Sequence, residues 1–274
     1  TDMGRGSVPL SQDRIEQLNE YADLYDQPIS IKEIDERTYA DVGFDQWSAS
    51  GLAVAWAEEN TRDSIFQAFK RKETFATTGT RMAVRFFAGF DMDSIDLNSE
   101  DMVSNAYEKG VTMGADLFSQ NNQTPQFLVW AQRDKLGAPL QRVQIIKGWV
   151  ENASGTPKEK VYDVACSDGL SVDPLTNRCP DNGARVNISD CSISNDVGAG
   201  ELKTTWTDPD FDPTVKAFYY VRVLENPSCR WSTWDALKAG VSPRHDLHKT
   251  IQERAWSSPI WYIPESSELN IIPL

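Results

Sequence analysis

A chain of 274 residues, 40% hydrophobic and 10% aromatic with nine Trp, holds enough apolar material for one large domain or two ordinary ones. Its formal net charge of −14 and pI near 4.6 exclude nucleic acid or an anionic membrane surface as partner, because phosphate neutralisation needs clustered Lys and Arg. No apolar run approaches the roughly 20 residues of a membrane span, and no charged-then-apolar leader opens the chain.

In chain order, Ser11 caps an expected helix reaching Tyr25, with Ile15, Leu18, Tyr21, Ala22 and Tyr25 on one face and Pro28 beyond its end. The stretch 30–39 is expected to form a second, shorter helix carrying Ile31, Ile34 and Thr38. Leu52, Val54 and Trp56 then alternate as a strand that stops at Glu58-Glu59. Asn60 reads as the cap of a helix with Asp63 three residues on; Ile65, Phe66 and Phe69 give its apolar stripe, and Arg71-Lys72 suit its last turn. Thr77-Thr78-Gly79-Thr80 forces a turn. A lone strand before Thr77 cannot hydrogen-bond its own backbone, so its partners are expected outside this chain or in the part that follows.

From residue 81 onward the pattern changes to short alternating strands at 81–90, 126–133, 141–150, 160–165, 201–206, 215–224 and 259–263. Seven such strands without intervening helices predict a β-sandwich. Two excursions interrupt them. Residues 91–125 are expected to hold a short helix near 100–109, and 167–200 forms a Cys-bearing loop. The fold class expected is therefore α+β: an incomplete α/β segment over residues 1–80, then a mostly antiparallel β-sandwich over 81–274.

The four cysteines, Cys166, Cys179, Cys191 and Cys229, contain no C-x-x-C pair and have no His close by in sequence, which argues for two disulfides over a zinc site. Of the three possible pairings, Cys166–Cys179 with Cys191–Cys229 closes the shortest loops, and the sequence leaves the choice open. Disulfides place the protein outside a reducing cytosol, so a periplasmic or extracellular location is expected.

Candidate chemistry concentrates between the predicted strand and helix. Glu58, Glu59, Asn60 and Arg62 stand where a strand ends and a helix begins, a position that forms the active-site face of barrels and open α/β sheets. The plainer reading is a cap with two solvated glutamates. Thr78 and Arg81, in the run 77–81, suit an anion cradle or simply a turn. His245 and His248 follow Pro243 in an apparent surface loop, a poor setting for a metal. Asp208, Asp210 and Asp212 alternate as in calcium loops, yet Pro and Phe intervene and no Gly or distal Glu follows at the required positions. Phe218 and Tyr220 share a strand face with Arg222, while Tyr219 joins Ala217, Val221 and Val223 on the other. The C-terminal aromatics therefore read first as core and second as a sugar-stacking platform. No nucleophile elbow, P-loop or dinucleotide fingerprint is present.

The runs SASGLAVAWAEENTRDSIFQAFKRKETFATTGTRMAVRFF, FDPTVKAFYYVRVLENPSCRWSTWDALKAG and TIQERAWSSPIWY resemble the bacterial "domain of unknown function 3604" family, across nearly all of residues 48–262. That family looks related to PHP-type metal-dependent phosphoesterases on a distorted (β/α) barrel, in which a helix followed by an x-T-x-G-x turn ends the barrel, as 73–81 would here. The resemblance implies upstream motifs of the kind G-D-x-H-x-H and S-D-x-H, and this sequence has neither. With its opening TDMGRGS, the chain is expected to be the C-terminal part of an exported metal-dependent hydrolase of unknown substrate. It would hold no cofactor itself, the divalent metal and the rest of the barrel lying in the parent protein. Catalytic residues are not assignable, and Glu58, Glu59, Asn60, Arg62, Thr78 and Arg81 would be rim groups of the barrel mouth. The alternative is a non-enzymatic β-sandwich module that binds glycans or serves structure.

Overall fold

The computed structural model describes residues 6–41, 45–47, 49–151 and 154–265. Four helices occur among them: α1 (Gln12–Tyr25), α2 (Arg62–Lys70), α3 (Met102–Lys109) and α4 (Trp231–Lys238). The strands are β1 (Ile31–Ile34), β2 (Arg37–Ala40), β3 (Leu52–Ala55), β4 (Thr74–Thr77), β5 (Ala83–Gly89), β6 (Gly110–Thr112), β7 (Asp116–Phe118), β8 (Gln126–Gln132), β9 (Leu140–Val150) and β10 (Pro157–Cys166). They continue with β11 (Val186–Asn187), β12 (Ser192–Ile193), β13 (Glu201–Thr207), β14 (Ala217–Glu225), β15 (Ser228–Cys229), β16 (Thr250–Ile251), β17 (Arg254–Ser257) and β18 (Ile260–Ile263). The protein is thus mostly β, and among the described residues no sheet closes on itself. The chain forms two compact units, one of Thr1–Ser50, Arg185–Ser194 and Pro227–Gln252, the other of Gly51–Ala184, Asn195–Asn226 and Glu253–Leu274. Residues 51–80 accordingly belong with the strands that follow them, and the N-terminal fifty do not.

The first unit carries α1 as expected: the Ser11 hydroxyl accepts from the Arg14 amide at 3.3 Å, and Asp26 ends the helix in the left-handed region at φ 50°. The second helix expected there is replaced by a hairpin, β1 paired antiparallel with β2. Asp35 and Glu36 take φ 53° and 59°, and two successive left-handed residues make the tight turn whose twist suits a two-residue hairpin. Ile31, Ile34 and Thr38 matched a helical spacing, but β-branched side chains with Tyr39 favour strands and the turn decided between them. The centre of this unit is polar. Buried Asp45 accepts from buried Arg244 Nη1 at 2.8 Å and pairs with Lys32, while Arg230 Nη2 donates to the Asp45 carbonyl at 2.6 Å. Cys191–Cys229 ties two of its segments, with Cα atoms 5.6 Å apart.

In the second unit the sheet order β10-β9-β14-β17-β4-β3, with β18 attached at β14 and β7 at β18, faces a four-stranded sheet β13-β8-β5-β6. All pairs are antiparallel except β18 with β7. Inward residues of both sheets form one core: Val84, Phe86, Phe127 and Val129 from one, Val143, Ile145, Tyr219, Val221 and Tyr262 from the other. Phe127 and Tyr219 meet across it at 4.4 Å between ring centroids. This is the packing of a β-sandwich. The outer side of the smaller sheet is covered by α3 and the 3₁₀ turn Met92–Ser94, which bury Met92, Met102 and Ala106 against Phe87 and Leu128.

Several expectations are corrected here. The strand at 52–56 does have a partner in the chain: Leu52 pairs with Thr77 and Ala55 with Thr74. The intervening α2 is a crossing between antiparallel neighbours. The strand β4 escaped notice because four residues, Thr-Phe-Ala-Thr, are too few to show alternation. The cap of α2 is Thr61, whose hydroxyl accepts from the Ser64 amide at 3.3 Å, one position later than expected. Besides α3, which falls where a short helix near 100–109 is expected, the β-rich part contains a further helix, α4. The disulfides pair Cys166 with Cys179 and Cys191 with Cys229. Such a pair of bonds fits an oxidising compartment, and among the described residues no helix is long and apolar enough to cross a membrane.

Candidate functional site

The most built-up polar site lies where β3 ends. Trp56 leaves the strand with its amide donating to the Glu73 carbonyl at 3.0 Å and its indole Nε1 donating to the Val84 carbonyl at 2.8 Å. α2 then returns the chain, and Lys72 ends the turn in the left-handed region at φ 58°. Glu73 is thereby driven inward, and only 2% of it remains exposed. Gly114 closes in from the β6–β7 connection; at φ 90°, a Cβ there would stand 2.3 Å from the Lys72 carbonyl oxygen.

A buried carboxylate must be paired and hydrogen-bonded, and Glu73 draws partners from three further elements. Its Oε1 accepts from the Tyr107 hydroxyl, from Thr112 Oγ1 at 3.2 Å and, more loosely, from Arg85 Nη1 at 3.4 Å. Its Oε2 accepts from Arg71 Nη2 at 3.4 Å. Arg85 also donates to the Tyr107 oxygen at 2.7 Å and lays its guanidinium 3.6 Å over the Trp56 ring, a cation–π contact. Burial first, and then the bond to Glu73, push the Tyr107 phenol up to about 12, so it remains a protonated donor at neutral pH. Trp56, Glu58, Arg71, Glu73, Arg85 and Tyr107 line a cavity of about 650 Å³. Among the described residues each arginine commits one terminal nitrogen to carboxylate or hydroxyl partners, so planar guanidinium donors remain for an oxygen-rich anion.

Of the residues singled out in the sequence, only Glu58 lines this cavity. Glu59, Asn60 and Arg62 are exposed on the following loop and first turn of α2. The register Leu52↔Thr77 places Thr78 and Arg81 at the opposite end of the β3–β4 ladder from Glu58. In that turn the amides are occupied: Gly79 donates to Thr77 Oγ1 at 3.2 Å, Thr78 to the Arg254 carbonyl at 2.9 Å and Arg81 to Asp134 Oδ2 at 2.8 Å. The Thr78 hydroxyl is bonded to Glu253. Nothing local in sequence relates positions 71, 73, 85 and 107; in the sequence Trp56 marks only an alternating strand and Arg71 only the last turn of a helix.

Elsewhere, Asp208 is buried and accepts from Lys147 Nζ at 2.6 Å and from the Tyr219 hydroxyl at 2.8 Å, while Lys147 also donates to the Asp210 carbonyl at 2.8 Å. The ammonium thus occupies the place between carboxylate and carbonyl where a loop cation would sit. His245 Nδ1 is paired with Asp35 at 2.8 Å on an exposed surface. Among the described residues no group of three or more His, Cys, Asp or Glu is arranged to hold a metal ion. The divalent metal implied by the phosphoesterase resemblance therefore does not fit these residues, and no step is derived through it.

These features define an antiparallel two-sheet protein with a guanidinium-lined pocket at one strand end. The chain belongs to the family described as "Protein of unknown function (DUF3604)", whose model matches residues 18–264. No curated protein and no solved structure matches it.

Proposed function

We propose that this chain is the C-terminal portion of an exported, periplasmic or extracellular, metal-dependent hydrolase with phosphoesterase-like chemistry, and that it supplies a substrate-side pocket. The metal ligands would come from the barrel of the parent protein. The observation that carries this reading is the pocket of Glu58, Arg71, Arg85 and Tyr107 at the end of β3, where the guanidinium donors left over suit a phosphoryl oxygen. Two further features support a larger assembly. β3 is the last strand of its sheet and offers an unpaired edge, and the helix beside it exposes Phe66 at 62% and Phe69 at 54%.

The test is made on the full parent protein purified with its metal and assayed on p-nitrophenyl phosphate and bis-p-nitrophenyl phosphate. Hydrolysis of either is expected, with Arg85→Met and Arg71→Met each raising KM about ten- to a hundredfold at unchanged metal content. Absence of hydrolysis of both esters would remove the enzymatic reading. Unchanged kinetics in both variants would remove the pocket from the substrate path.

A further inference from the structure

The larger sheet of the second unit carries a row of aromatic side chains on the face turned away from the sandwich core. Along β14, Ala217, Tyr219, Val221 and Val223 enter the core, and Phe218, Tyr220 and Arg222 alternate to the other side. Phe218 pairs with Trp261 on β18 and with Gly148 on β9, and Gly148 pairs in turn with Glu159 on β10. One cross-strand row therefore reads Trp261, Phe218, Gly148, Glu159. The glycine is what lets the Phe218 ring lie across the neighbouring strand, since a Cβ at 148 would stand 2.2 Å from Phe218 Cζ. The Trp261 ring lies 5.1 Å from Phe218, and Tyr220 continues the row at 6.4 Å with its plane tilted only 16° from that of Phe218. Trp261 stays 37% exposed. Lys216 holds its ammonium 5.5 Å from the Trp261 centroid, and a cavity of about 610 Å³ opens between Trp261, Phe218, Lys216 and Glu159.

None of Phe218, Tyr220 and Trp261 belongs to the buried core, whereas Tyr219 and Tyr262 on the same strands do. Exposed aromatic faces rimmed by polar groups mark a binding groove more than a packing surface. Lys216 and Glu159 form no ion pair among the described residues, so one donor and one acceptor flank the rings. The groove sets Lys158 and Lys216 against Glu159, a small positive balance on a chain that carries −14 and as a whole repels polyanions. We propose that this face binds a chain of uncharged pyranose sugars. Their C–H faces would stack on Trp261 and Phe218, and Lys216 and Glu159 would bond their hydroxyls. This site is separate from the pocket at β3 and does not depend on the hydrolase reading.

The experiment titrates the 274-residue chain with cellohexaose, xylohexaose, mannohexaose, laminarihexaose and a hexagalacturonate, followed by tryptophan fluorescence and calorimetry. Binding of at least one neutral hexasaccharide is expected. Trp261→Ala and Phe218→Ala should each weaken it about tenfold, with the fold verified by circular dichroism. Trp234→Ala, an exposed tryptophan of the other unit, should leave it unchanged. No binding of any neutral hexasaccharide, a preference for the galacturonate, or binding that survives both aromatic variants would overturn the proposal.

Discussion

Glu225 shows how burial can dominate the pH response of a residue. It ends β14 inside the second unit, and burial is the first cause of a carboxyl pushed from 4.5 up to about 7; nearby Glu253 and Asp134 add to it, and a bond from Thr80 opposes it. The sign follows from which state holds the proton. Between 4.5 and about 7 the unfolded carboxyl has ionised while the folded one has not, so this residue costs stability progressively as pH rises. The full cost, about 3 kcal/mol at most, is present above the folded value. Glu225→Gln is therefore expected to raise the urea midpoint at pH 8 and to leave it nearly unchanged at pH 4, which paired denaturation curves would check. A midpoint that rises equally at both values would contradict the assignment. No sequence pattern announced this residue, because Glu at the end of a strand reads as solvated until the fold covers it. Glu73, likewise covered only by the fold, has no sequence pattern to announce its burial either.

At the scale of elements, legibility followed length and turn chemistry. The helix α1 and the strands β5, β8, β9, β13 and β14 carry enough residues for their periodicity to speak. The two- to four-residue strands β4, β11, β12, β15, β16 and β17 do not, although β17 sits between β14 and β4 in the larger sheet. The loop after β10 is held by a bond of another kind. Cys166–Cys179 closes a 13-residue span, and just before it buried Asp163 accepts from the Cys179 amide at 2.7 Å and from Gln144 Nε2 at 2.6 Å. Loop closure of this size stabilises by roughly 3 kcal/mol. The double variant Cys166→Ser/Cys179→Ser should lower stability by about 2–4 kcal/mol in urea titrations. A loss below about 1 kcal/mol would show that the Asp163 bonds hold the loop without the disulfide.

Across the whole molecule, the two units rest on different cores. The second packs Phe, Val, Ile and Tyr between two sheets, while the first is centred on Asp45 among Arg244, Lys32 and Arg230. Burial raises the Asp45 carboxyl, but hydrogen bonds from Lys32 and Arg244 outweigh it and hold it below the usual range. A depressed carboxyl stabilises above its unfolded value, and that contribution is lost as pH falls through the folded one. Removing the charge leaves buried Arg244 with Asp246 as its remaining carboxylate partner and Lys32 and Arg244 with one ion pair fewer, at a cost on the order of 3 kcal/mol. Asp45→Asn should therefore strip hydrogen-exchange protection from β1, β2 and α4 while β5, β8 and β9 keep theirs. Uniform loss across both units would refute the separation. Alternation and turn residues in the sequence alone determined a mostly antiparallel β fold and the first helix, and the spacing of the cysteines pointed to disulfides, because these are properties of neighbours along the chain. Only the tertiary structure decided that residues 30–39 form a hairpin, which cysteines pair, and that Glu58 meets Arg71, Arg85 and Tyr107. Those outcomes depend on left-handed turns and on contacts between residues far apart in sequence, which no local pattern records.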